Sequence, residues 1–216
     1  MRLTESSSGF QSLVPLYLVS EYLSKGVKEK SGNIDGGMSS EEIERFKELA
    51  FEIYLNDNLT EEQRRAAISA ISYKFNKTAF INIVEEPEQN LYPISQQQIL
   101  NSLLKFNNMS MNNKLIMTTH SPYLINYLTL AVKADNLKEK VNSESLKTKL
   151  NDVVPLDSTV NSNDLVIYEL EEIEGSISKL KNFEGIPSDK NFLNLLLGKG
   201  NQQFDSLLEI EEELWE

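Results

Sequence analysis

Two adjacent carboxylates, Glu85 and Glu86, end the run Ala79-Phe80-Ile81-Asn82-Ile83-Val84, and Pro87-Glu88 follows them. Acids delivered side by side can divide labour. One holds a divalent cation, directly or through water, while the next orients or deprotonates an attacking water. A Mg2+-bound nucleotide suits such a pair. The same residues also read as a strand running into an acidic loop. The only histidine, His120, lies in Ile116-Met117-Thr118-Thr119-His120-Ser121-Pro122, again just past a short apolar run. A lone histidine commonly has a structural role, but its place at a second strand tip makes it a candidate for the same chemistry. Near the start, Glu5-Ser6-Ser7-Ser8-Gly9-Phe10-Gln11 opens a segment of helical periodicity. Serine hydroxyls and free N–H groups at a helix start bind anions, although Ser-Gly there also serves as a plain cap.

The elements that must position these residues follow from the hydrophobic pattern. Residues 79–84 and 114–119 are short, β-rich and apolar, as strands buried on both faces are. Each is followed by a predicted helix, over 95–107 and over 122–134. Strand, helix, strand, helix at this spacing predicts a parallel sheet flanked by helices in an α/β fold. The C-terminal ends of its strands then face one crevice, where ligands bind in open α/β sheets. Apolar residues at helical spacing predict a first helix over 11–24, with Pro15 in its first turn, where a missing N–H matters little. Residues 25–38 read as a loop. Ser39 or Ser40 can cap a helix that runs to Leu55, with Glu41 and Glu42 in its first turn. Thr60 and Gln63 form a capping box for another that runs to Tyr73. Residues 25–76 are therefore expected to be a helical insert. Residues 135–163 are polar and weakly patterned, and no element is assigned there. Residues 164–170 and 176–180 predict a β-hairpin, and residues 189–215 a helical end, so that 164–216 forms a C-terminal hairpin and helix extension.

The chain has 216 residues, 33 acids against 21 bases, no cysteine and one histidine. Disulfides, zinc fingers, iron–sulfur clusters, thiol nucleophiles and multi-histidine metal sites are thereby excluded. A net charge of -12 argues against affinity for an anionic membrane surface and lowers the expectation of a basic nucleic-acid face. No signal peptide is visible, and no apolar run reaches the roughly 18 to 20 residues that span a bilayer. A cytoplasmic protein is the default expectation. Glu169, Glu171, Glu172 and Glu174 read as a solvated hairpin tip. Glu209 to Glu216 reads as a charged helix face, with Trp215 expected to pack back on the core.

The order of the three segments carries more than any one of them. Ser-Ser-Gly-x-Gln at a helix start, then an apolar strand into Glu-Glu-Pro-Glu, then a strand into Thr-Thr-His-Ser-Pro, resembles the C-terminal half of an ABC-type ATPase head. Within that superfamily it is similar to the bacterial AAA-type ATPases related to the overcoming-lysogenisation-defect nucleases. The motifs cover about residues 3 to 130. The resemblance implies a partial P-loop NTPase fold, ATP and Mg2+ as cofactors, and a homodimer of heads in the complete enzyme. It implies a signature motif at Ser7, Ser8, Gly9 and Gln11, with Ser8 and Gly9 touching the γ-phosphate of ATP held by the partner head. Glu85 matches the Walker B acid that serves the metal, in place of the commoner aspartate. Glu86 matches the catalytic base. Glu88, Gln89, Asn90 and Leu91 occupy the D-loop, which lines the dimer interface. His120 matches the switch histidine that senses the γ-phosphate.

Two departures are plain. Phe10 stands where many members carry a second glycine. No G-x-x-x-x-G-K-[ST] phosphate cradle occurs; Gly198-Lys199-Gly200-Asn201 lacks the upstream glycine and the final Ser or Thr. In the family the P-loop precedes the signature, so residues 1–216 are expected to be a C-terminal lobe without its N-terminal P-loop lobe: a fragment, a truncated gene product or one half of a split protein. Alone it is expected to bind ATP poorly. The acidic motif of a Toprim nuclease is also missing, and a DNA-linked partner is suggested by the resemblance alone. Two other readings stay open. One is a non-catalytic interaction module using the signature helix and the insert. The other is a metal-dependent phosphoesterase built on Glu85, Glu86 and Glu88.

Overall fold

The computed structural model describes residues 3–28, 39–75, 77–171, 174–183 and 185–215. They form a mixed α/β structure, mostly helical, with small sheets that include one parallel pair. The Cα positions group into two compact units, residues 1–17, 83–105 and 117–216 in the first and residues 18–82 and 106–116 in the second.

Helix α1 spans Ser8–Lys28. It is longer than expected at both ends, so Pro15 lies inside the helix and not in its first turn. A proline there forgoes one helical hydrogen bond and costs roughly 3 kcal/mol in an isolated helix. The rest of the expected 25–38 loop, residues 29–38, lies outside the described residues.

In the second unit, α2 (Ser40–Tyr54) and α3 (Glu61–Lys74) begin as their sequences predict. The Ser39 hydroxyl accepts from the Glu42 N–H at 3.2 Å, and the Glu42 carboxylate accepts from the Ser39 N–H at 2.8 Å. Thr60 and Gln63 repeat the arrangement at 2.9 and 3.2 Å. The rings of Phe46 and Phe75 meet edge to face at 5.9 Å between the two helices. Asn113, buried, accepts from the Phe80 N–H at 2.9 Å and donates to the Phe106 carbonyl at 3.1 Å. That pins the start of the first strand.

Strands β1 (Ile81–Glu85) and β2 (Lys114–Thr118) pair in parallel. The Lys114 N–H donates to the Phe80 carbonyl at one end and the Glu86 N–H to the Thr118 carbonyl at the other. The expectation of strands buried on both faces is corrected. Burial alternates along each strand, with Val84 buried and Ile81, Ile83 and Ile116 exposed. A two-stranded sheet covered on one face leaves every second residue outward.

In the first unit, α4 (Pro93–Asn107) and α5 (Pro122–Lys138) carry the core. Ile99, Leu100, Leu103 and Leu104 of α4 and Leu124, Leu128, Ala131 and Val132 of α5 are buried. Residues 135–163 are not structureless. They contain α6 (Glu144–Val153), whose Ser143 hydroxyl accepts from the Leu146 N–H. The hairpin is present as β3 (Tyr168–Leu170) and β4 (Ile177–Lys179), antiparallel with Tyr168 opposite Lys179. Glu172 lies outside the described residues. A second antiparallel pair, β5 (Asn182–Phe183) and β6 (Ile186–Pro187), was not expected. Helix α7 (Phe192–Trp215) ends the chain. Asn191, which is buried, and the half-buried Glu169 accept from its first N–H groups. Trp215 does not pack on a core; it is 82% exposed. Among the described residues no helix is long and apolar enough to cross a membrane.

Candidate active site

β1 ends at Glu85, whose side chain is exposed, and the chain turns at once. Glu86 takes φ +44°, in the left-handed region. Its N–H still pairs with the Thr118 carbonyl at 3.0 Å, so the ladder reaches one residue past the strand. The positive φ then swings the backbone into a tight turn. The Gln89 N–H closes it on the Glu86 carbonyl and the Leu91 N–H on the Glu88 carbonyl, both at 3.0 Å. Asn90, at φ +61°, completes the bend; asparagine enters this region readily. Glutamate does not, and a cost of roughly 1–2 kcal/mol at Glu86 marks a position where side-chain placement takes precedence over backbone ease.

β2 runs out at Thr118, and Thr119-His120-Ser121 leads into α5, with Pro122 at its first position. Nε2 of His120 lies 3.3 Å from Oε1 of Glu86. The histidine side chain is 83% exposed and that of Glu86 35%. The two predicted strand tips therefore meet, and they bring together the second carboxylate of the pair and the one imidazole. A carboxylate within hydrogen-bond reach of an imidazole at an open surface can take a proton from water while the imidazole donates or orients.

Three residues not expected at the site hold the two loops together. Thr119 Oγ donates to Glu88 Oε1 at 2.7 Å, and so does the His120 N–H at 2.7 Å. The Ser121 N–H donates to Thr119 Oγ at 2.9 Å. Ser121 Oγ donates to Gln96 Oε1 at 2.6 Å, a buried bond, and Gln96 Nε2 donates to the Leu91 carbonyl at 3.0 Å. Glu88, expected at a dimer interface, has an intrachain role here. Gln89 and Asn90 are exposed and Leu91 is half-buried. Thr119 and Ser121 flank the histidine in the sequence. Gln96 carries no signal there, because its role depends on α4 starting beside the turn.

The signature segment opens α1 and reaches the same turn. A β-carbon on Gly9 would lie 2.6 Å from the Asn90 carbonyl oxygen and 3.4 Å from Leu91 Cδ2. Ser7 and Ser8 are exposed. The Ser7 carbonyl accepts from the Gln11 N–H at 3.0 Å. The Gln11 side-chain amide points back to the Ser6 carbonyl at 2.8 Å and the Thr4 carbonyl at 3.4 Å. Gly9 thereby packs against Asn90 and Leu91, and the Gln11 amide is engaged by its own preceding turn.

Glu85 is an exposed carboxylate, and among the described residues no three acidic or histidine side chains converge to hold a cation. Glu85, Glu86 and Glu88 do not make a protein-only metal cage. One open carboxylate fits a Mg2+ ion whose remaining ligands are phosphate oxygens and water.

Comparison of the chain with protein-family models, with curated proteins and with solved structures finds no match.

Proposed function

We propose that this chain is the signature, Walker B and switch-histidine lobe of an ATP-hydrolysing head of the ABC type, and that a P-loop lobe from a further segment or partner chain completes the nucleotide site. The observation that carries this is the meeting of Glu86 and His120 at 3.3 Å across the tips of two parallel strands. The position of Gly9 against Asn90 supports it, since it joins the third motif to the same turn.

In this reading Mg2+ bound to ATP would supply charge neutralisation on the phosphates. Glu85 would offer it one carboxylate oxygen. Glu86 would take the proton of the attacking water, and His120 would hold Glu86 in place through Nε2 and sense the γ-phosphate. Ser8 and Gly9 present a hydroxyl and a backbone N–H, at the positive end of α1, to a nucleotide bound by a second head. A homodimer of heads follows from that last role. The outward-facing Ile81, Ile83 and Ile116, between 52% and 74% exposed, are what a parallel pair shows before a further layer covers it.

A second reading, a non-catalytic interaction module, draws on the exposed apolar residues of α7, among them Phe204, Leu207, Leu208 and Ile210. Calorimetry with Mg-ATP separates the two. The ATPase reading expects no saturable binding by the chain alone and saturable binding once the P-loop lobe is supplied. Failure to bind in the presence of that lobe would overturn it in favour of the interaction module.

A further inference from the structure

Glu88 lies outside the assigned catalytic pair, yet its carboxylate is the joint between the two loops that carry that pair. Its Oε1 receives two donors at 2.7 Å, the Thr119 hydroxyl and the His120 backbone N–H. Both donors belong to the loop after β2, whereas Glu88 belongs to the turn after β1. An ionised acceptor makes such bonds short and strong. The second oxygen, Oε2, is buried and has no hydrogen-bond partner among the described residues, so the two bonds to Oε1 are those the side chain makes there.

The exposure of the histidine shows why this matters. With 83% of its side chain open to solvent, the ring is not held beside Glu86 by packing. Its position is set by the backbone of residue 120, and that backbone is fastened by its N–H to Glu88. Thr119 adds a second fastening, because its hydroxyl donates to Glu88 while accepting from the Ser121 N–H. The positive φ of Glu86 turns the chain so that Glu88 comes back under the histidine loop. We propose that Glu88 is a positioning residue that sets the place of His120 relative to Glu86, a role that rests on the ATPase reading for its catalytic consequence but not for its geometry.

The chain's single histidine makes the geometry directly readable. In the full chain labelled with 15N-histidine, one backbone amide signal reports His120. Glu88→Ala is expected to move that signal and to speed exchange of the amide by about 10-fold or more, with cooperative unfolding retained. Glu88→Gln keeps a carbonyl acceptor and is expected to restore most of the protection. Thr119→Val, which removes one of the two bonds, gives a smaller change in the same direction if Glu88→Ala fails to fold. An amide signal and exchange rate unchanged in Glu88→Ala or Thr119→Val would overturn the proposal. In the complemented ATPase, Glu88→Ala is expected to lower kcat about 10- to 100-fold with KM little changed, and to add nothing in a His120→Ala background. Additive losses would show that Glu88 does not act through His120. If the complemented wild type shows no turnover, the ATPase reading fails while the amide measurement still decides the positioning role.

Discussion

At Gly9 a β-carbon would stand 2.6 Å from the Asn90 carbonyl oxygen, and the obstacle is backbone, which cannot swing aside as a side chain can. Gly9→Ala is therefore expected to lower stability by about 1–3 kcal/mol, read by urea unfolding of the chain without any nucleotide. Gly26, also inside α1, has no atom within 4 Å of a built β-carbon. There alanine relieves only the helical cost of glycine, and Gly26→Ala is expected to raise stability by up to about 1 kcal/mol. Equal effects at the two positions would mean that Gly9 is not packed against the turn. The resemblance implies for Gly9 a contact with the γ-phosphate held by a partner head. Its packing against Asn90 was not legible, because that contact joins residues about eighty positions apart and depends on the φ of Glu86 and Asn90. The residues at the strand tips were legible, since short apolar runs name the strands and whatever follows each run must lie at its end. What the run could not show is which of Glu85 and Glu86 faces the histidine. The left-handed turn at Glu86 decides that.

Elements whose signals are local were read most directly. Ser39 with Glu42 and Thr60 with Gln63 are four-residue patterns, and both capping boxes close as written. Ser39→Ala and Thr60→Ala should each lower stability by about 0.5–2 kcal/mol in thermal or urea unfolding. Helix α6 leaves a weaker trace, although Ser143 followed by Glu144 has the same capping logic, because only Leu146, Leu150 and Val153 stand among its polar residues. β5 and β6, two residues each, are too short to show a period. Pro15 draws the expected start of α1 toward residue 11, because a proline suits a first turn, whereas the helix begins within the serine-rich segment at Ser8. The alternating burial of β1 and β2 escaped the sequence for the opposite reason, since apolar runs such as Ile83-Val84 and Leu115-Ile116-Met117 look alike whether or not a second layer covers them. Lys105 near the end of α4 pairs with Asp157 at 2.8 Å. The hydrogen bond from Lys105 is the main cause that holds the Asp157 carboxyl below its usual range, with burial opposing it. A folded-state value below the unfolded one contributes stability at pH above the ordinary aspartate range, and that contribution is lost as the pH falls through the folded value. Both partners are about half exposed, so the increment is small, under about 1 kcal/mol. Asp157→Asn should lower stability by that amount at neutral pH, and the gap from wild type should close in strong acid.

The molecule as a whole carries 33 acids against 21 bases, and its apolar residues are unevenly placed. The first unit buries a continuous row along α4 and α5, while α7 buries none of its residues and β1 and β2 turn isoleucines outward. Segments that resemble a signature, a Walker B pair and a switch histidine occur without a G-x-x-x-x-G-K-[ST] run. The proposed lobe, completed by a P-loop partner, would account for these features together. The central claim is that Glu86 is the base of an ATP-hydrolysing site completed by a P-loop lobe. Its most direct test is steady-state ATP turnover by the complemented protein, comparing wild type with Glu86→Gln. The account predicts Mg2+-dependent turnover that falls about 10²- to 10⁴-fold in the variant with nucleotide binding retained. Undiminished turnover in Glu86→Gln would contradict it.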